Sequence, residues 1–272
     1  MLLKRVLVAL ILLPIGLAAI MAGGWWFAAV IGLILGLAAY EYVQLFEAGG
    51  WKPNGFLVIV GVIALVAARF MGGFDHDKWI LPVLVFLSMG AHLLSYERGR
   101  DQAAADLWVT LGGIFYIGLL GSYFLPLRNL PEGEWWILVV LPAMWLADSG
   151  AYFIGRKFGR NKMAPRLSPN KSWEGYAGGI AFAVIGTPLL VQWYYQLGLN
   201  TEGSITLGRA AVISVLMGII PTLGDLGESM IKRLVGKKDS GTILPGHGGM
   251  FDRIDSWLWA ASIGYFTILW LF

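Results

Sequence analysis

Long apolar runs alternate with short polar breaks along almost the whole chain. Nine runs read as helices through a bilayer: 6–22, 26–46, 56–71, 79–95, 107–127, 135–155, 176–197, 209–233 and 256–272. A spanning helix needs about 20 mostly apolar residues. The runs are continuous and rich in Leu, Ile, Val and Ala, whereas a membrane barrel would show short segments of alternating polarity. The pattern predicts an all-α, polytopic integral membrane bundle of about nine transmembrane helices. No internal repeat or soluble segment interrupts it. The chain reads as a single membrane domain over 1–272, with N-terminal spans in 1–134 and C-terminal spans and long polar loops in 135–272.

Composition agrees. Of 272 residues, 57% are hydrophobic and only 14% are charged. A soluble domain carries about a quarter charged residues, so the polar surface here is too small to cover a water-soluble globule. There is no cysteine, which excludes disulfides, thiolate metal sites and thiol catalysis. The opening Met1-Leu2-Leu3-Lys4-Arg5 and the apolar run after it resemble a signal peptide. Similar runs follow at once and no small-x-small cleavage site appears, so an uncleaved first span is expected.

Placement of the basic residues sets the expected orientation. With the N-terminus in the cytoplasm, nine spans put Lys4, Arg5, Lys52, Arg98, Arg100, Arg156, Lys157, Arg160, Lys162, Arg166, Lys171, Lys232, Arg233, Lys237, Lys238 and Arg253 inside. Arg69, Lys78, Arg128 and Arg209 fall outside. That is 16 of the 20 Lys and Arg. Two inside loops are long: Arg156 to Gly175 and Gly236 to Asp255. The pattern implies a lipid bilayer as partner and no nucleic acid.

Candidate chemistry gathers at these inside edges. Ionisable groups within spans cost about 2.5–3.5 kcal/mol each on the insertion scale. Asp148 lies late in the sixth span. Asp225, Glu228, Ser229 and Lys232 lie at i, i+3, i+4 and i+7 of the eighth, on one helical face. A Glu228–Lys232 ion pair would leave Asp225 and Asp148 unpaired, and such a carboxylate invites a metal or a proton. The second loop carries Gly241, Gly246, Gly248 and Gly249, whose backbone N–H groups can approach an anion. Lys237, Lys238 and Arg253 add positive charge, and Asp239, Asp252 and Asp255 add hard oxygen ligands suited to Mg²⁺. His247 stands among the glycines, where it could donate to a phosphate. A solvated basic loop with turn glycines explains the lysines, but not two aspartates flanking an arginine at a span edge. In the first loop, Ser168, Asn170, Lys171 and Ser172 are candidate phosphate or nucleotide contacts, and Glu174 could orient Lys171. The spacing is not that of a P-loop. His76 and His92 carry no metal-pair spacing.

The stretch from Ser229 to Asp255 resembles the signature of phosphatidate cytidylyltransferases, the CDP-diacylglycerol synthases. In outline that signature is S-x-x-K-R-x(4)-K-D-x(5)-P-G-H-G-G-x-x-D-R-x-D, and every fixed position is matched. Asp148-Ser-Gly-Ala-Tyr-Phe-Ile-Gly-Arg156 and Ser168-Pro-Asn-Lys-Ser-Trp-Glu-Gly175 also resemble family blocks. The usual Lys-Lys-Thr of the latter is Asn170-Lys171-Ser172 here, which keeps the second lysine and a hydroxyl. The resemblance is strongest over 145–256. It implies transfer of CMP from CTP to phosphatidate with Mg²⁺, in a bacterial inner membrane or an organelle membrane, often by a homodimer. By position in the signature, Asp225 and Asp252 are the metal carboxylates, with Asp148 and Asp255 as further candidates. Lys232, Arg233, Lys238 and Arg253 would hold phosphates of CTP or lipid, Lys171 and Ser168 those of CTP, or its cytidine. The lipid would enter sideways from the inner leaflet. Two other readings stay open on the residues alone: a kinase or cytidylyltransferase for another lipid phosphate or polyprenol, and an ion-coupled transporter.

Overall fold

A computed structural model describes residues 2–199, 203–243, 246 and 248–272, with side chains from residue 10 onward. The helices in order are α1 (Leu2–Ala22), α2 (Gly24–Ala48), α3 (Gly55–Gly72), α4 (Asp77–Glu97), α5 (Ala103–Asn129), α6 (Gly133–Phe158), α7 (Trp173–Gln196), α8 (Leu207–Ile219), α9 (Thr222–Leu234) and α10 (Phe251–Leu271). Each of the nine apolar runs falls on helix. Seven helical stretches among the described residues are long and apolar enough to cross a membrane, α8 and α9 counting as one. The chain is a nearly all-α, multi-pass membrane protein.

Two features depart from the expected pattern. The run 209–233 is broken at Ile220–Pro221, and α9 starts afresh after the proline. Proline has no N–H and fixes φ, so it ends one helix and suits the start of another. The polar loop 156–175 contains an antiparallel hairpin, β1 (Lys162–Ala164) with β2 (Ser168–Ser172).

The chain divides into two compact units. The first comprises Met1–Pro126 and Ile231–Ile254, the second Leu127–Met230 and Asp255–Phe272. In the first, α5 changes to π-helical winding over Ile114–Leu119, and Ile114 and Ile117 are fully buried there. Ile114 joins Leu65, Ala68, Ile80 and Leu84 in an apolar core. The link between α2 and α3 is tied down by polar groups. Asp106, buried near the start of α5, accepts from Lys52 N–H at 2.8 Å and Arg100 Nε at 2.7 Å. That hydrogen bond raises the Arg100 guanidinium pKa above its ordinary value. Asn54 caps α3 by accepting from Leu57 N–H, and its own N–H donates to Thr110 Oγ1. His92 bonds Ser88 O and Thr110 Oγ1, a satisfied core histidine. Arg69, at the end of α3 expected to face outside, is buried, ion-paired with Asp77 and stacked 4.1 Å from the Phe74 ring centroid.

In the second unit, α6 and α7 pack through small residues four apart. A Cβ on Gly179 would lie 2.4 Å from Ala147 O, and one on Gly175 would lie 2.8 Å from Ala151 O and 2.9 Å from Gly155 Cα. Close backbone approach of this kind is how helices gain van der Waals contact where lipid removes the hydrophobic drive. Several glycines of the sequence blocks at 148–156 and 168–175 therefore serve helix packing.

Candidate active site

The first unit builds its polar cluster around Asp252, in the first turn of α10. Asp252 Oδ2 accepts from Ser240 N–H at 2.9 Å and Gly249 N–H at 2.8 Å. Asp252 Oδ1 accepts from Lys232 Nζ at 2.8 Å. An acidic side chain in a first helical turn also meets the positive end of the helix dipole. Its three donors hold the carboxylate in one orientation. The ion pair of Lys232 is thus with Asp252, where a Glu228 partner was considered from helical spacing. Gly248 has φ of +83°, and a Cβ there would come 2.9 Å from Asp252 Oδ2. Of the four glycines expected to approach an anion through their backbone, Gly249 gives its N–H to Asp252.

Around this cluster the structure leaves the charged side chains in reach of solvent. Arg233, Lys237, Lys238, Asp239 and Arg253 are exposed. An open cavity of about 380 Å³ is lined by Lys237, Lys238 and Asp239 with Gln44 at the end of α2. Two lysines on a cavity wall create a positive potential that attracts phosphate oxygens. His247 lies outside the described residues.

The residue that sequence reading passed over is Glu41. It is 2% exposed in α2, and its Oε2 accepts from Ser240 Oγ at 3.2 Å and Phe251 N–H at 2.9 Å. The sequence offers one signal for it, a carboxylate near the end of an otherwise apolar run. Its partners stand about 200 positions away, so no local pattern names them.

The second unit brings together three residues from separate motifs. Lys171 on the hairpin pairs with Asp225 Oδ2 at 2.5 Å. Asp148 lies close enough to interact electrostatically with both. Asp225 owes its place to the break at Pro221, which puts it in the first turn of α9. Ser229 Oγ donates to its other oxygen at 3.4 Å. Asp225 is thus partnered, where helical spacing alone suggested an unpaired carboxylate. At Gly224 the chain passes against α10, where a Cβ would lie 2.5 Å from Asp255 O. Asp255 itself is buried and its Oδ1 accepts from Ser256 N–H.

The hairpin is held by groups that the sequence suggested for other work. Glu174 does not orient Lys171. Its carboxylate accepts from Arg160 N–H, Asn161 N–H and Asn161 Nδ2, closing the base of the hairpin. Ser172 is buried and caps α7, its Oγ accepting from Gly175 N–H at 3.2 Å. Ser168 is half-buried and Asn170 exposed on β2.

Among the described residues no three His, Asp or Glu gather into a cation cage. Mg²⁺ is usually bound through one or two carboxylates, with phosphate oxygens and water completing its shell. Asp252 in the first unit and Asp225 in the second are each a carboxylate of that kind.

Residues 3–271 match the model of the cytidylyltransferase family. A phosphatidate cytidylyltransferase of Pseudomonas aeruginosa is 36% identical over 274 residues, covering 99% of this chain and 97% of the relative. One of Staphylococcus epidermidis is 35% identical over 269 residues, covering 95% and 96%. One of Synechocystis is 31% identical over 295 residues, covering 98% and 96%.

Proposed function

The chain belongs to the cytidylyltransferase family, and from that membership we propose its reaction in full. It transfers the CMP group of CTP to phosphatidate, giving CDP-diacylglycerol and pyrophosphate for phospholipid synthesis. The observation that carries this reading is the end-to-end likeness to phosphatidate cytidylyltransferases.

A phosphate oxygen of phosphatidate attacks the α-phosphorus of CTP. The bond from that phosphorus to the oxygen bridging toward the β-phosphorus breaks, and pyrophosphate leaves with the electron pair. The attacking group is already an anion, so no strong base is needed. The barrier lies in anion–anion repulsion and in charge on the leaving group, which fixed cations reduce. By their positions in the family signature, Asp252 in the first unit and Asp225 in the second are the carboxylates that would hold Mg²⁺, with Asp148 and Asp255 as further candidates. When bound, the metal supplies charge neutralisation on phosphate oxygens. Lys232 and Lys171, each resting on a carboxylate, have phosphate oxygens as their alternative partners. Arg233, Lys237, Lys238 and Arg253 would attract the polyphosphate and the lipid phosphate, and Asp239, Ser168, Asn170 and the Gly248 backbone are further candidate contacts. The excess of Lys and Arg in alternate loops supports a cytoplasmic N-terminus, and the bacterial relatives support the inner membrane. The family resemblance supports a homodimer, which the mass of the protein–detergent complex measures.

The test is turnover in detergent with phosphatidate, Mg²⁺ and CTP labelled at the α-phosphorus. Label enters lipid, and a chelator abolishes the transfer until Mg²⁺ is restored. If phosphatidate takes no label while another lipid phosphate does, the acceptor is wrong. If label from the γ-phosphate enters lipid, the enzyme is a kinase.

A further inference from the structure

Glu41 is the most deeply buried carboxylate attached to the Asp252 cluster, and no step of the transfer uses it. The cluster is a relay of hydrogen bonds. Glu41 Oε2 accepts from Ser240 Oγ, Ser240 Oγ accepts from Asp252 N–H at 3.2 Å, and Ser240 N–H donates to Asp252 Oδ2. A second arm runs from Glu41 Oε2 to Phe251 N–H, the residue before Asp252. Both arms converge on the backbone that aims Asp252. The fit is close on every side. A Cβ at Gly249 would lie 2.3 Å from Glu41 Oε2 and 2.1 Å from Ser240 Oγ, and one at Gly241 would lie 2.3 Å from Glu41 Oε1. Glu41 Oε1 is buried without a hydrogen-bond partner among the described residues. A carboxyl group buried in a span with one oxygen unpartnered among the described residues is not explained by stability alone, since an apolar residue there would avoid burying a polar group.

We propose that Glu41 is a positioning residue that sets the orientation of the Asp252 carboxylate through Ser240 and Phe251. This rests on the reading of Asp252 as a working carboxylate. Glu41 touches no substrate in this account. It fixes two peptide groups and so the angle at which Asp252 meets Lys232. Misplacing a catalytic group by about 1 Å can cost about 100-fold in rate.

The experiment compares wild type, Glu41→Ala, Glu41→Gln, Ser240→Ala, the double variant Glu41→Ala/Ser240→Ala and Asp252→Asn in detergent. It reads kcat, KM for CTP and phosphatidate, melting temperature, and amide hydrogen exchange over residues 238–252. Glu41→Ala lowers kcat about 10–100-fold with both KM values little changed. Glu41→Gln keeps an acceptor oxygen for Phe251 N–H and recovers most of that loss. Exchange over 238–252 speeds up in Glu41→Ala and stays near wild type in Glu41→Gln. Because part of the path is shared, the Glu41→Ala effect shrinks in the Ser240→Ala background. Three outcomes overturn the proposal: unchanged exchange and kcat in folded Glu41→Ala, no rescue by Gln, or fully additive losses. Full turnover in Asp252→Asn would instead sink the reading beneath, and the exchange data would still decide whether Glu41 holds this segment.

Discussion

Lys232 Nζ stands 2.8 Å from Asp252 Oδ1, joining the last turns of α9 to the first turn of α10. Both side chains are largely out of solvent, at 14% and 8% exposed. Removing one partner of a buried pair costs about 3–5 kcal/mol, because the other charge is left stranded. Asp252→Asn keeps acceptors for Ser240 N–H and Gly249 N–H, so it folds, melts somewhat lower and loses at least about 100-fold in kcat. Asp252→Ala loses those acceptors too and melts lower still. Steady-state kinetics and thermal melts check both, and full activity in Asp252→Asn would remove this carboxylate from the chemistry.

The Lys171–Asp225 pair separates function from stability. Its side chains are 25% and 38% exposed. A pair so open contributes about 0–1 kcal/mol to folding. Lys171→Ala therefore leaves the melting temperature nearly unchanged while raising KM for CTP about tenfold, the share expected for one charge-assisted phosphate contact. If KM stays put, the lysine serves only to hold the hairpin to α9.

Helix α6 and helix α7 meet without room for side chains at Gly179. Gly179→Val would drive a Cβ to 2.4 Å from Ala147 O. Backbone cannot yield as a flexible side chain can, and overpacking costs about 1–3 kcal/mol or more. The expected result is little folded protein by size-exclusion chromatography. A monodisperse, active Gly179→Val enzyme would contradict the packing described.

Ser172 offers a test of local structure. Replacing an N-cap by Ala costs about 1 kcal/mol, and another good cap restores it. Ser172→Ala lowers the melting temperature by a few degrees, and Ser172→Asp recovers it. Equal destabilisation by Asp and Ala would show that the hydroxyl does more than cap α7.

Hydropathy made the helices legible because lipid imposes the same demand on every span: twenty apolar residues and a closed backbone. It could not show the break at Pro221, since a window dominated by the apolar α8 averages over the proline and runs on into the charged, amphipathic α9. It could not show the hairpin at 162–172, where three- and five-residue strands carry no alternation strong enough to stand out from a basic loop. At the site, residue type pointed to Asp225, Asp252, Lys171 and Lys232 as charged groups with work to do. Which lysine met which carboxylate was not legible, because those contacts depend on where the backbone turns. Glu41 was the largest omission. Its partners come from the other end of the chain, and only the packed structure brings them to it.

That separation along the chain bears on how the protein is made. Glu41 leaves the ribosome 199 residues before Ser240 and 210 before Phe251. At about 5–20 residues per second, α2 must wait about 10–40 s in the bilayer before its carboxyl group finds these donors. Insertion of the N-terminal helices is therefore provisional, and a much later segment completes a bond begun near the start of the chain. A nascent chain arrested before residue 240 should carry a carboxyl group in α2 without its Ser240 and Phe251 donors, which makes it a natural substrate for membrane quality control.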